Sequence, residues 1–219
     1  MKKIIYILTI VILTACQTNK ENNKRTSNDD KSKHLLKDTN NSKQDLQEVK
    51  DELTAYLENF KKADLPIKIK GCQVNTNGLV EFDGKRFKKF NEYYSYAYRQ
   101  IPTNGNYIAT ITLGVADCFQ PVLTTYKPNG DIIDSKTIDI GHCGFDCGYS
   151  CEEFMSIDKN YEIYVSDTIS SYECDSIGNE IPGTYEYYVI YKEGKLLTEG
   201  KIQLTDEIKK PLEGRKNEP

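Results

Sequence analysis

Tryptophan is absent from the 219-residue chain, and histidine occurs only twice, at His34 and His142. The chain contains no His-Glu-x-x-His pair, no phosphate-binding P-loop and no dinucleotide-binding glycine motif. These motifs carry the chemistry of zinc hydrolases, P-loop enzymes and dinucleotide-dependent enzymes. Apolar runs are also too short to span a membrane, which takes roughly 20 residues. No enzyme class is indicated, and we expect a non-catalytic protein with no catalytic residue, no metal ligand and no cofactor.

The longest apolar run lies at the start of the chain. Two lysines are followed by residues 4–13, which are apolar except at Tyr6 and Thr9, and then by Leu13-Thr14-Ala15-Cys16. A charged start, a short apolar core and small residues at the cut are typical of a secretory signal peptide. The open alternatives are an ordinary secreted protein and the start of a membrane span.

The ending Leu13-Thr14-Ala15-Cys16 resembles the lipobox of bacterial lipoproteins. The resemblance implies that residues 1–15 are removed and that the Cys16 thiol receives a diacylglycerol. It also implies fatty acylation, for example with palmitate, of the new amino group. Two or three acyl chains anchor a protein stably without spanning the bilayer. We therefore expect a membrane-anchored lipoprotein of the cell envelope. The folded body also resembles the small envelope lipoproteins of Gram-negative bacteria, which implies a Gram-negative source.

Charge and composition divide the rest of the chain. Residues 17–43 hold seven Lys/Arg, four Asp/Glu and almost no apolar side chain, which predicts a flexible spacer. A single folded domain is expected over residues 44–208, followed by a tail over 209–219. Within that domain, residues 131–193 carry three lysines against fourteen acids, a net charge of −11. An acidic domain on a membrane argues against a nucleic-acid partner. The acids form either a face for a cation or basic partner, or the solvated face of strands.

One helix and many strands are predicted in the folded domain. Apolar residues recur at helical spacing from Leu46 to Phe60, and Leu65-Pro66 follows, which predicts an amphipathic helix over residues 44–63. Beyond it, alternating apolar residues are punctuated by turn residues, as at Asn129-Gly130. The expected fold is mainly β: an antiparallel meander, sandwich or barrel-like, with the helix packed on it.

Sixteen tyrosines are present, concentrated at residues 93–98 and 185–191. Tyrosine rings can form a platform for a glycan or peptide, because ring faces stack on apolar surfaces and hydroxyls bond to polar groups. Tyrosine is also favoured in strands for structural reasons. A protein, peptide or glycan is therefore the expected ligand class, but composition alone leaves both interpretations of the tyrosines open.

Lipidation of Cys16 leaves an even set of six cysteines. We expect all six to form disulfides, which persist outside the cytoplasm: Cys72, Cys118, Cys143, Cys147, Cys151 and Cys174. If strand direction alternates along the meander, the connections 114–118, 141–151 and 170–184 lie at one end of the sheet. Of the fifteen possible connectivities, the one we favour on this basis is Cys118–Cys143, Cys72–Cys147 and Cys151–Cys174.

Two alternatives for the cysteine-rich loop remain open. Cys143, Cys147, Cys151 and His142 have spacings that a structural zinc site admits. A cysteine could also act as a catalytic thiol with His142 as its base. Three function classes follow: a binding module should show a tyrosine-lined groove, a hydrolase should show a pocket where His142 or carboxylates converge, and an inhibitor or immunity protein should show an open acidic face.

Overall fold

The computed structural model describes residues 45, 47–144 and 146–214, and it contains twelve strands and one helix in these ranges. Helix α1 includes residues 47–57. The strands are β1 (Lys61–Lys62), β2 (Ile67–Lys70), β3 (Val80–Asp83), β4 (Tyr94–Ile101), β5 (Ile108–Gly114), β6 (Gln120–Tyr126), β7 (Ile132–Thr137), β8 (Tyr149–Ile157), β9 (Glu162–Ser171), β10 (Glu186–Leu196), β11 (Ile202–Leu204) and β12 (Ile208–Pro211).

The strands form two six-stranded sheets. Sheet 1 has the order β1-β4-β5-β6-β7, with β3 also paired to β4, and sheet 2 has the order β11-β10-β9-β8-β2, with β12 also paired to β10. All pairings are antiparallel except that of β1 with β4. The predicted mainly β fold with antiparallel strands is confirmed. Neither sheet closes into a barrel within the described residues.

The main core lies between the two sheets. Strand residues alternate between the faces of a sheet, so each strand contributes every second side chain to this layer. Sheet 1 supplies Ala109, Ile111 and Leu113 from β5, and sheet 2 supplies Ile163 and Val165 from β9. These side chains are buried and belong to one continuous cluster, which makes the fold a two-sheet sandwich.

A second, aromatic core lies on the other face of sheet 1. Helix α1 contributes Leu53 and Tyr56 to it, and the Tyr56 ring contacts Phe82 and Phe90 at centroid distances of 5.2 Å. The helix thus packs on the sheet through its apolar side. Its predicted start at residue 44 lies outside the described residues.

Two element boundaries differ from the sequence-based expectation. The helix ends at residue 57 instead of 63, because the Asn59 amide donates to the carbonyls of Ala55 and Tyr56 and the chain then enters β1. Residues 209–211 of the tail expected over 209–219 instead belong to β12, which pairs with β10 and is joined to it by an ion pair between Lys209 and Glu186. Within the described residues, no helix has the length and apolar character needed to cross a membrane.

Candidate functional site

All six cysteines of the folded part are bonded in pairs, as the even count predicts. The bonds are Cys72–Cys118, Cys143–Cys151 and Cys147–Cys174, with Cα–Cα distances of 4.6, 5.3 and 6.2 Å. The connectivity that we favoured from sequence is wrong at all three bonds.

Backbone contacts explain the observed pairing. Cys72 follows β2, and its carbonyl accepts a hydrogen bond from the amide of Phe119, so the chain lies beside Cys118 there. The Tyr172 amide donates to the Gly148 carbonyl, which brings the region after β9 to the cysteine-rich loop. The sequence could not show these approaches, because they depend on which strands become neighbours across the two sheets.

The disulfides change what the cysteine-rich loop can do. Cys143, Cys147 and Cys151 are oxidised, whereas a zinc site and a catalytic cysteine both require a thiolate. His142 makes other contacts. Its Nε2 lies 3.1 Å from Oε2 of Glu207, and its backbone amide donates to Oδ2 of Asp167 at 2.8 Å. The oxidised loop therefore has no thiolate chemistry, and His142 belongs to a charged network.

Three carboxylates converge beside two of the disulfides, and we refer to Asp139, Glu153 and Asp167 as the carboxylate cluster. Glu153 of β8 is the direct register partner of Asp167 of β9, and both side chains face the space between the sheets. Asp139, between β7 and β8 in sequence, lines the same cleft. The Cys72 and Cys118 sulfurs lie within 4.8 Å of a Glu153 oxygen, and those of Cys143 and Cys151 lie within 4.8 Å of an Asp167 oxygen.

Burial and mutual repulsion make these carboxylates hard to ionise. Burial, followed by the charges of Asp167 and Asp139, raises the pKa of Glu153 to about 7. Burial also raises the pKa of Asp167, although the backbone amides of His142 and Cys143 act in the opposite direction. The pKa of Asp139 is raised by burial and is lowered in part by Lys192. A carboxylic acid that titrates near neutral pH is therefore built into the sandwich.

The charged groups around the cluster are largely engaged with one another. Lys192 Nζ lies 3.1 Å from Oε1 of Glu207 and donates to the Asp139 carbonyl at 3.4 Å. Hydrogen bonds from His142 and Lys192 lower the pKa of Glu207. Glu207 thus takes up much of the positive charge in this region, while Glu153 receives none of these contacts.

The cleft at the cluster is small. Its volume is about 20 Å³, and apolar side chains such as Ile69, Ile138 and Met155 form most of its wall. This volume holds about one water molecule. Carboxylates therefore converge, as a hydrolase requires, but in a space that does not admit a sugar or a peptide.

A larger groove crosses the outer face of sheet 1, and we call it the tyrosine groove. It has a volume of about 480 Å³ and is lined by Tyr93, Tyr94, Gly114, Val115, Gln120, Val122, Ser135, Lys136 and Thr137. Tyr93, Tyr94 and Val115 are 41%, 46% and 49% exposed. The groove thus combines exposed apolar surface with hydroxyl, amide and ammonium groups, and no carboxylate is among its described lining residues.

The sequence pointed to the tyrosines of this groove but not to the carboxylate cluster. Tyr93 and Tyr94 belong to the tyrosine-rich stretch at 93–98, whereas Glu153 and Asp167 appeared only as part of an acidic region. A signal was available in the strand alternation. Glu153 has the same parity as Met155 in β8, and Asp167 has the same parity as Val165 in β9, so both acids occupy inward positions.

Comparison with known proteins gives no match: no family model fits the chain, and neither a curated protein nor a solved structure matches it.

Proposed function

We propose that this protein is a lipid-anchored, disulfide-stabilised binding protein of the bacterial cell envelope, which holds its ligand in the tyrosine groove. Three disulfides support an extracytoplasmic location, because thiols are kept reduced in the cytoplasm. The Leu13-Thr14-Ala15-Cys16 ending supports the anchor. The observation that carries the binding role is the exposed pair Tyr93 and Tyr94 beside the polar groups of β6 and β7.

A glycan is the ligand class that suits this groove. A sugar ring has an apolar face that stacks on aromatic rings and a rim of hydroxyls that needs hydrogen-bond partners. The tyrosine rings and Val115 offer an apolar surface for stacking, and the hydroxyls of Ser135 and Thr137 offer hydrogen-bond partners. The lining carries Lys136 and none of the acids that dominate residues 131–193, but the Tyr94 hydroxyl interacts with Glu81, so a neutral glycan suits the groove better than an anionic one.

The anchor is tested by replacing the lipidated residue. We expect Cys16→Ser to move the protein from the detergent phase to the aqueous phase in phase partitioning, since the acyl chains supply the membrane affinity. Cys72→Ser is the matched control, because it removes a cysteine without touching the lipobox, and it should remain in the detergent phase. Wild-type protein found in the aqueous phase would refute the anchor.

The groove is tested with isolated glycan strands from bacterial cell wall and, in parallel, a mixture of short peptides. We expect the wild-type protein to bind the glycan, and Tyr94→Ala to weaken binding by roughly tenfold, since truncating a contacting aromatic side chain removes ~1–2 kcal/mol or more. Tyr187→Ala, in β10 of the other sheet, is the control and should bind as wild type does.

Isothermal titration calorimetry on both probes decides the outcome. Binding of the peptides alone would replace the glycan with a peptide ligand. Binding that Tyr94→Ala and Tyr187→Ala reduce equally, or no binding of either probe, would contradict the proposed groove.

A further inference from the structure

The carboxylate cluster lies at a structural junction. The segment 138–143 leaves sheet 1 after β7 and leads to β8 of sheet 2, and it carries Asp139 and His142. Ile138 and Ile140 of this segment are buried in the main core. We propose that Asp139, Glu153 and Asp167 form a proton-dependent contact that holds the segment 138–143 against sheet 2 while Glu153 is protonated and loosens it as the pH rises toward neutral.

The strand register forces the acids together. Glu153 and Asp167 are direct partners across the β8–β9 pair, where side chains on one face stand about 4.5–5.5 Å apart at Cβ. Asp167 is only 1% exposed, so it cannot turn to solvent without opening the strand pair. Asp139 lines the same cleft of about 20 Å³. The cleft is too small to hydrate three ionised carboxylates.

Charged and titratable groups reach the cluster from several elements. They are Tyr149 of β8, Lys192 of β10, His142 of the segment and Glu207 before β12, and Tyr188 of β10 lies near Tyr149. The lining residues from β2, from the β5–β6 connection and from β6 are Ile69, Phe119 and Pro121, and they carry no charge. Lys192 and the His142 ring both contact Glu207, so these two groups beside the cluster are already engaged with another carboxylate.

Protonation of Glu153 decides whether the carboxylate cluster is compatible with the closed form, in which the segment 138–143 packs against sheet 2; in the open form this segment has moved away. The neutral acid adds no charge beside Asp167 and can remain in the cleft. The ionised form faces two other carboxylates with no described donor to its oxygens, so it is favoured only when it moves toward solvent. The closed form therefore favours protonated Glu153.

The consequence reaches the segment through Asp167. Oδ2 of this residue accepts the His142 amide at 2.8 Å, and the Tyr149 hydroxyl fixes the His142 carbonyl at 2.7 Å. These contacts attach the segment to β8 and β9. When Glu153 ionises, repulsion displaces the side chains of the cluster and weakens the bond between the His142 amide and Asp167.

The direction of the pH effect follows from the raised pKa of Glu153, about 7 in the folded protein. The closed form binds the proton more tightly than the open form, in which the carboxyl returns to its ordinary range. The contact is therefore complete below the ordinary pKa range of glutamate. It weakens as the pH rises from that range toward about 7 and changes little at higher pH.

Hydrogen exchange of the His142 amide, corrected for its intrinsic rate, tests the proposal on the full chain in detergent. Between about pH 5.5 and pH 8.5, we expect its protection in wild-type protein to fall by roughly 30-fold, because the pKa of Glu153 drops from about 7 in the closed form to its ordinary value in the open form. Glu153→Gln mimics the protonated acid and should keep high protection at both pH values. The control Glu193→Gln, an exposed position on the outer face of β10, should behave as wild type.

Two results would overturn the proposal: protection of His142 that does not change with pH in wild-type protein, or a change that persists in Glu153→Gln. If that variant does not fold, the side-chain carboxyl signal of Glu153 in wild-type protein decides by itself. A carbon-13 titration midpoint near neutral supports the contact, and a midpoint in the ordinary range of glutamate contradicts it.

Discussion

Gly148 is the residue at which the cysteine-rich loop comes closest to the chain after β9. Its φ is +70°, a conformation that side chains other than glycine rarely adopt. A Cβ atom placed there would overlap the Tyr172 carbonyl oxygen and would come within 2.7 Å of the Tyr172 ring. The adjacent residue, Cys147, is bonded to Cys174. Close approach of the backbone at Gly148 therefore supports this disulfide.

Replacing Gly148 with alanine should destabilise the protein more than the backbone angle alone explains. Gly178 is the matched control, since its φ is +88° but no atom lies within 4 Å of the position of a Cβ. We expect Gly178→Ala to lower the free energy of unfolding by ~1 kcal/mol, the cost of the left-handed conformation. Gly148→Ala should lower it by about 2–4 kcal/mol, because overlap with Tyr172 is added. Equal losses in urea denaturation would show that the approach to Tyr172 carries no energy.

Residue-level prediction from sequence succeeded for local features and failed for contacts between distant residues. The even cysteine count indicated disulfides, whereas the composition of 93–98 left open whether its tyrosines are structural or form a binding surface. The partner of each cysteine could not be predicted, because Cys72 and Cys118 meet only when β2 and the β5–β6 connection lie in facing sheets. The acids at 153 and 167 were missed because their inward position becomes significant only once the two strands are known to pair.

At the level of elements, the three disulfides have different positions. The bond between Cys72 and Cys118 joins the end of β2 in sheet 2 to the β5–β6 connection of sheet 1. The Cys143–Cys151 bond closes a sequence separation of only 8 residues, against 46 for the first. The first bond therefore links the two sheets covalently, whereas the second constrains a single connection.

Removing the two bonds separately should show this difference. In the chain-entropy model, loss of Cys72–Cys118 lowers the free energy of unfolding by about 4 kcal/mol, and loss of Cys143–Cys151 by about 2.5 kcal/mol. Double alanine variants of each pair, compared by urea denaturation, measure the two values. A larger loss from the shorter loop would mean that native packing, rather than loop closure, sets the contribution of these bonds.

Element boundaries show where a pattern in the sequence stops being informative. Apolar spacing continues to Phe60, so the sequence predicts a helix beyond residue 57, but the Asn59 side chain takes up two carbonyls at its end. Residues 209–211 have no strand-like alternation, yet they complete β12 because β10 offers unpaired backbone groups along that edge. Both differences arise from hydrogen bonds that no periodicity encodes.

At the scale of the molecule, alternation along the chain was sufficient to predict a mainly β fold with antiparallel neighbours. It was not sufficient to predict where the chain passes between the two sheets, which it does on either side of β2 and again between β7 and β8. Alternation states which face of a strand is buried, but it does not state against which strands that face packs. The candidate site depends on this division, since Asp139 precedes β8 and reaches the cluster only because the chain crosses there from one sheet to the other.

The order of the paired cysteines along the chain bears on how the protein is made. If the chain is exported as we propose, Cys72 and Cys118 are the first of the six bonded cysteines to emerge, and joining them in order of emergence gives a native bond. The next two to emerge are Cys143 and Cys147, which are not partners, because the remaining two native bonds interleave. An oxidase that joins cysteines as they appear would trap this pair incorrectly. Under the proposed export, the last two bonds would therefore need a thiol–disulfide exchange step, such as a disulfide isomerase provides, whereas the first would not.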